Sequence, residues 1–189
     1  MNQRIPYPDM DSLSEEQRRV ADEIAAGPRG QIRGPMLLWL HSPELAARGQ
    51  RVGEFLRWGT IFDARLSELA ILTTARFCDC HYVWFNHVGL ARESGLSDGV
   101  IEAIKFRRTP AFEHDDEQIV YDFSSQLLAS RNVTDETVAA ARVLFEDCGV
   151  VELTAIVGYY QMGMYTLATA RVPLIDGSWT CLPDCKADC

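Results

Sequence analysis

The chain has 189 residues, of which 47% are hydrophobic and 24% are charged, a balance typical of one folded globular domain. Its net charge of −9 and its scattered basic residues disfavour nucleic acid as a partner, because phosphate backbones are bound by clustered Lys and Arg. No apolar run approaches the roughly 20 residues of a membrane-spanning helix, and the first residues show no export pattern. We therefore expect a cytoplasmic protein with one domain over residues 1–175 and a cysteine-containing tail over residues 176–189.

Six cysteines occur, at positions 78, 80, 148, 181, 185 and 189. A reducing compartment argues against a structural disulfide framework, so some of these thiols could be chemical. The tail cysteines Cys181, Cys185 and Cys189 are four residues apart, a spacing that could align thiolates for a soft metal if the tail were helical. Three ligands without a fourth are weak support, and Pro183 favours a mobile tail, so we predict no metal site.

Capping and turn signals predict the helices of the first third of the chain. Ser12 and Glu15 have the spacing of a capping box, which predicts a helix ending at about Ala26. Residues 29–35 have the composition of a loop. A proline suits the first position of a helix, so the next helix is expected over Pro43–Gly59.

Three helices are then predicted in tandem. Asp63 is expected to cap a helix whose apolar residues recur every three or four positions as far as Phe77, with Glu68 beside the buried face. A helix over about Cys80–Ser94 follows, and Ser97 is expected to cap a short third helix.

Three more helices are expected in the rest of the chain. The first begins in an acidic stretch at residues 113–117, and the others span about Asp135–Cys148 and Val150–Arg171. No alternating apolar and polar run indicates a strand, so the predicted fold class is an all-α bundle of about seven or eight helices. The last helix is apolar on nearly every side, which predicts burial on more than one face and an interface between subunits.

The chemistry is expected in the middle of the chain. Cys80, Trp84 and His87 have the spacing i, i+4, i+7, so on a helix they would share one face. Cys80 would lie behind a cap at Asp79, where exposed N–H groups favour a thiolate. His87 can exchange protons near neutrality, and Glu68 is the carboxylate that could fix its tautomer if the two helices pack antiparallel.

Other side chains are candidates for binding a substrate. Tyr82 and Trp84 could line the pocket, although aromatic residues more often belong to the core. Arg65 or Arg76 could hold a carboxylate through two parallel hydrogen bonds, with a solvated surface position as the alternative for either.

The stretch RLSELAILTTARFCDCHYVWFNHVGLARESGLSDGVIEAI, from position 65, resembles the carboxymuconolactone decarboxylase-like superfamily, which includes the alkylhydroperoxidase D proteins. The hydroperoxidase signature is Glu, eleven residues, Cys, two residues, Cys, three residues, His, and Glu68, Cys80 and His87 match it in register. Val83 stands at the second cysteine, which removes the Cys-x-x-Cys dithiol. The sequence around Cys80, Tyr82, Trp84 and His87 looks like the single-cysteine branch close to the carboxymuconolactone decarboxylases. GPRGQIRGP at position 27 and VELTAIVGYY at position 151 extend the resemblance over about residues 15–175.

The resemblance implies a helical bundle of the alkylhydroperoxidase D type, assembled as a homo-oligomer, a trimer or a hexamer, without membrane partner or cofactor. It implies an acid–base lyase or isomerase acting on a small carboxylated lactone or a related acid, with Glu68, Cys80 and His87 as catalytic residues. The alternative is thiol-dependent hydroperoxide reduction by Cys80, with Cys78 or an external thiol resolving the sulfenic acid. A non-enzymatic oligomeric binding protein is the third hypothesis.

Overall fold

The computed structural model describes residues 2–174 and 181–183, and within these ranges it contains eight α-helices and no strand. The predicted all-α class and number of helices are therefore confirmed. Two of the tail cysteines, Cys185 and Cys189, lie outside the described residues. The helices are α1 (Glu15–Ala26), α2 (Pro35–Trp39), α3 (Pro43–Trp58), α4 (Ala64–Phe77), α5 (His81–Glu93), α6 (Asp98–Lys105), α7 (Asp115–Ser130) and α8 (Asp135–Ala170).

Helix α4 is the centre of the bundle. Eleven of its fourteen residues are buried, and it packs against α5, α6, α7 and α8. Asp63 caps it as predicted, with a carboxylate oxygen 2.9 Å from the backbone nitrogen of Leu66. Thr73 and Thr74 point into the core and donate their hydroxyl hydrogens to carbonyls one turn earlier. The central helix therefore carries polar groups inward, and each of them needs a partner there.

The capping box of α1 lies two residues later than predicted. Ser14, and not Ser12, accepts the N–H of Gln17, and Gln17 in turn accepts the N–H of Ser14. Ser12 instead contacts Asp9 in the preceding turn. Gln17 also donates to the carbonyl of Leu40 at 2.9 Å, a tertiary contact that favours this register over the other.

Two further elements differ from the sequence prediction. The short helix α2 (Pro35–Trp39) lies where no helix was predicted, and it buries Met36 and Trp39 against α1 and α3. Helix α8 runs through both predicted final helices, with its break at Glu146, which has φ 56° and ψ −172°. The break is therefore three residues before Gly149, the residue that separated the two predicted helices.

Helix α8 exposes apolar side chains, which are relevant to the predicted homo-oligomer. Val143, Val151 and Tyr165 are exposed on it, at 82%, 68% and 59% of their full areas. No helix in the described part of the chain is long and apolar enough to cross a membrane. The homo-oligomer inferred from the apolar character of this helix stays a prediction.

A group of ion pairs joins α4 to α7. One Arg65 nitrogen lies 2.6 Å from a carboxylate oxygen of Asp116, and the other lies 2.6 Å from Glu117, which is buried. The hydrogen bonds from Arg65 hold the pKa of Asp116 below its usual range. Arg65 therefore neutralises a carboxylate that the core would otherwise bury alone.

We expect Arg65→Met to lower the free energy of unfolding by about 3 kcal/mol, because it leaves the buried Glu117 carboxylate without a counter-charge. Urea denaturation followed by circular dichroism measures this loss. The matched control is Arg48→Met, which breaks an exposed i, i+4 pair with Glu44 and should cost under about 0.5 kcal/mol. A loss at Arg65 no larger than at Arg48 would contradict the prediction.

Candidate active site

The predicted contact between Glu68 and His87 is confirmed. A Glu68 carboxylate oxygen lies 2.7 Å from Nδ1 of His87, and the two residues are 5% and 8% exposed. The pair spans α4 and α5, which pack against each other across the short turn at residues 78–80. A carboxylate at Nδ1 holds the tautomer that carries its hydrogen there. This leaves Nε2, which has no hydrogen-bond partner within the described residues, available to a bound molecule.

His87 lines a cavity of about 90 Å³ beside α2 and α8. This volume corresponds to roughly six to nine water positions, which suits a small molecule better than a polymer chain. Three arginines and three tyrosines contribute to its wall: Arg29, Arg33, Arg57, Tyr82, Tyr159 and Tyr160. The cavity therefore combines an acid–base residue with a high local density of positive charge, which favours an anionic ligand.

Two residues of the cavity wall each have a buried polar atom without a hydrogen-bond partner among the described residues, Nε of Arg29 and the hydroxyl of Tyr159. Burial raises the pKa of Tyr159 to about 12, so its hydroxyl keeps its hydrogen near neutral pH. An unsatisfied buried donor costs about 1–3 kcal/mol, and an acceptor on a ligand would remove that cost. Carboxylate and enolate oxygens are acceptors of this kind.

The side chains of α3 position these donors. The Arg29 and Arg57 guanidinium groups lie over the ring of Trp58, at 5.4 and 4.9 Å from its centroid. Gly53 faces the same place, and a Cβ there would lie 2.7 Å from Arg29 and overlap the Tyr159 hydroxyl. The absence of a side chain at position 53 therefore makes room for both donors.

Cys80 does not have the environment that its sequence position predicts. It is itself the N-cap residue of α5, whereas the predicted cap, Asp79, has φ 50° and pairs with Arg76 and Arg107. The expected backbone N–H groups do contact the sulfur, but burial has the larger effect and raises the pKa of Cys80 to about 12. Burial therefore opposes the thiolate that the position of Cys80 in the sequence favours.

Cys80 also lies outside the cavity that His87 lines. It lines a second cavity with Cys78 and His81, and Tyr82 contributes to the walls of both cavities. A residue at the N-cap has left the helical path, so the spacing of seven residues does not bring Cys80 and His87 to one face. The structure thus brings Glu68 and His87 together without Cys80.

Val83 occupies the position of the second motif cysteine and lines the cavity of His87. This position, four residues before the histidine, is one helical turn away and on the same side of α5. Among the described residues that line this cavity there is no cysteine. The thiol that the hydroperoxidase signature would place beside His87 is therefore replaced by an apolar side chain.

The other predicted substrate-binding residues divide into two groups. Tyr82 lines the cavity of His87 as expected. Trp84 is only 2% exposed and belongs to the core, and Arg65 is engaged in the α4–α7 ion pairs, so neither lines this cavity. Arg76 is also committed, with hydrogen bonds to the carbonyls of Lys105 and Pro183.

Sequence reasoning missed the arginines of the cavity itself. Arg29 and Arg33 come from the segment between α1 and α2, and Arg57 comes from the last turn of α3. The sequence feature that could have identified Arg29 and Arg33 is the motif GPRGQIRGP, in which both arginines lie between glycines just before a helix that begins with proline. A loop composition alone does not indicate which way its side chains point.

We expect Gly53→Ala to disturb the site, because its methyl group takes the space of the Tyr159 hydroxyl and the Arg29 guanidinium. The melting temperature should fall, and a crystal structure should show both side chains displaced. Gly89→Ala on α5 is the matched control, since a Cβ there meets nothing within 4 Å. That control should be neutral or stabilising, as alanine is better than glycine within a helix by roughly 0.5–1 kcal/mol.

No protein-family model and no curated protein sequence matches the chain. Several solved structures are similar to it. A peroxidase-related protein from Ralstonia eutropha, described as an alkylhydroperoxidase AhpD core, has a TM-score of 0.76 and 18% identity, over 92% of this chain and 93% of that chain. The debrominase Bmp8 has a TM-score of 0.67 and 14% identity over 92% and 93% of the two chains.

An Agrobacterium tumefaciens protein of unknown function, whose description names the antioxidant defence protein AhpD, has a TM-score of 0.64 and 17% identity. It covers 75% of this chain, which spans 98% of its length. At such identities the likeness is one of fold. The chain therefore has the AhpD-like helical fold, the fold of the superfamily that its central motif resembles.

Proposed function

We propose that this protein is a cofactor-independent acid–base enzyme that acts on a small carboxylated substrate, with a carboxylated lactone as the leading class. One observation carries the proposal. The buried Glu68–His87 pair presents Nε2 to a small cavity whose wall holds three arginines and, within the described residues, no thiol. Proton transfer needs a positioned acid–base group and charge stabilisation, and both are present there.

Each residue has a definite role in a decarboxylation. The carbon–carbon bond to the carboxylate breaks, carbon dioxide leaves, and the electron pair remains on the substrate as a dienolate. We assign Arg29 and Tyr159 as donors to the enolate oxygen, because both side chains line the same cavity as His87. Protonated His87 then gives its Nε2 hydrogen to carbon and later regains one from water, while Glu68 stabilises the imidazolium. In an isomerase, His87 would instead begin by taking a hydrogen from a substrate carbon onto Nε2.

Hydroperoxide reduction is the second candidate, and the retained motif position of Cys80 is the observation in its favour. Two features of the described cavities argue against it. The pKa of the Cys80 thiol is raised to about 12, which leaves little thiolate near neutrality. Val83 also removes the thiol from the neighbourhood of His87.

A solved structure of the same fold is consistent with a small ring compound as the ligand. A variant of the debrominase Bmp8 has been crystallised with 2,3,4-tribromopyrrole. A lactone ring that carries a carboxylate is also a small ring compound, so this likeness supports the proposed class by size alone.

Two substrate panels separate the candidates. One contains small lactones with one or two carboxylates, assayed by the change in ultraviolet absorbance and by release of carbon dioxide. The other contains hydrogen peroxide and alkyl hydroperoxides with a dithiol reductant. We expect saturable turnover with a member of the first panel. Saturable turnover with only the second panel would overturn the proposal.

On the best substrate of the first panel, we expect His87→Gln to lower kcat/KM by about 10²–10⁴-fold, because the proton relay is lost. Glu68→Gln should also reduce kcat, since an amide keeps the hydrogen bond but no longer stabilises the imidazolium. Cys80→Ser is the comparison and should retain most of the turnover. A reversed order, with Cys80→Ser inactive and His87→Gln active, would contradict the acid–base role.

We expect Arg29→Met to lower kcat by about 10- to 100-fold with little change in KM, because the charge-assisted hydrogen bond that it removes from the developing enolate contributes about 1.5–3 kcal/mol. Arg19→Met on α1 is the control, since Arg19 forms an exposed pair with Glu23. The discriminating measurement is the split between kcat and KM, because an interaction made only in the transition state acts on kcat. An unchanged kcat, or a loss confined to KM, would contradict the role of Arg29.

A further inference from the structure

A short segment near the C-terminus lies against the start of α5, although the two are far apart in the sequence. We call residues 181–183 the C-terminal strap. The backbone nitrogens of Cys181 and Leu182 lie 2.9 and 3.0 Å from Nδ1 of His81. At its other end, a guanidinium nitrogen of Arg76 donates to the carbonyl of Pro183 at 2.9 Å. The Leu182 side chain is buried against the main core.

The two contacts with His81 fix the protonation state of its ring. A nitrogen that accepts two N–H groups carries no hydrogen of its own, so the bound form of His81 is neutral with its hydrogen on Nε2. A proton on Nδ1 would face two donors and replace both hydrogen bonds by repulsion. Protonation of Nδ1 is therefore incompatible with these two hydrogen bonds of the strap.

The surroundings of His81 oppose its protonation. Burial is the largest influence and lowers the pKa of His81, Asp79 acts in the opposite direction, and Arg76 adds to the lowering. Arg107 offsets the carboxylate of Asp79 by pairing with it. The other titratable groups that line the cavity of His81 are Cys78, Cys80, Tyr82, Tyr165 and Arg171.

We propose that the start of α5 is an intramolecular binding site for residues 181–183, that it is occupied only while His81 is neutral, and that acidification releases the strap. Release frees His81, which lines the cavity that holds Cys78 and Cys80. His81 is the neighbour of Tyr82 in the sequence, and Tyr82 lines both this cavity and that of His87. Release therefore acts next to a residue that the two cavities share.

The sign of the pH dependence follows from the two states. In the released state His81 has an ordinary pKa of about 6.5, and in the attached state its pKa is lower. Attachment is therefore fully present above about pH 6.5 and weakens as the pH falls below that value. Between the two pKa values, the attachment constant falls by up to about tenfold per pH unit.

Hydrogen exchange of the Cys181 and Leu182 amides in the full-length protein tests the proposal, because these are the donors to His81. We compare protection factors, which are corrected for the intrinsic pH dependence of exchange, at pH 7.5 and pH 5.0. In the unsubstituted protein we expect protection at pH 7.5 and a decrease of about tenfold at pH 5.0.

Two variants at position 81 make the test specific. In His81→Asn the amide oxygen takes the place of Nδ1 and does not titrate, so protection should be equal at both pH values. In His81→Leu no acceptor remains, so protection should be lost at both. His114→Asn is the matched control, because His114 is exposed at the start of α7, and it should behave like the unsubstituted protein.

Three results would overturn the proposal. The first is an absence of protection at pH 7.5, and the second is equal protection at both pH values in the unsubstituted protein. The third is a pH-dependent loss that persists in His81→Asn. Circular dichroism at both pH values separates release of the strap from unfolding, and His81→Asn remains decisive if His81→Leu does not fold. No measurement depends on turnover, so the result is independent of the proposed function.

Discussion

A carboxylate inside the central helix is the constraint on which the arrangement of this bundle depends. Glu68 lies on α4 among ten other buried residues of that helix, where an unpaired charge would cost several kcal/mol. Its partner, His87, comes from α5, so that helix must fold back closely against α4. The pairing that makes α4 tolerable in the core is thus the same pairing that prepares His87 for proton transfer.

The turn between these helices is built to hold that arrangement. Asp79 adopts a left-handed conformation, which is uncommon for a residue with a side chain, and its carboxylate takes hydrogen bonds from Arg76 and Arg107. Arg76 also reaches the carbonyl of Lys105 at the end of α6 and that of Pro183 in the C-terminal strap. One buried guanidinium therefore joins the α4–α5 turn, α6 and the strap. This accounts for its low exposure without any role at the substrate.

Five arginines of this acidic protein differ in how their charge is used. Arg65 and Arg76 are paired with carboxylates inside the fold, so their charge is already used. Arg29, Arg33 and Arg57 form no ion pair within the described residues and converge on one cavity. The net charge of −9 is a property of the whole chain, whereas a ligand in the cavity experiences the positive field of the nearby arginines. This division is the physical reason that an anion is the expected ligand.

The sequence alone predicted what depends on local rules. Helix starts at Asp63 and Ser97 follow from side chains that accept an N–H three residues later, and the Glu68–His87 contact follows from two helices joined by a short turn. It failed at Cys80, because a spacing on a helix is informative only within the helix, and α5 begins one residue later. It also failed for Arg29, whose direction is set by Trp58 and by the empty place at Gly53, contacts that only the tertiary structure creates.

The same comparison explains how one substitution can change the chemistry of this fold. Position 80 lies before the helix and belongs to the cavity of His81, whereas position 83 lies one turn before His87 and belongs to its cavity. A cysteine at position 83 would line the same cavity as His87, whereas Cys80 lines the cavity of His81. Val83 therefore leaves the Glu68–His87 pair intact without a cysteine beside it. This difference is the reason that the proposed function rests on proton transfer and not on a thiol.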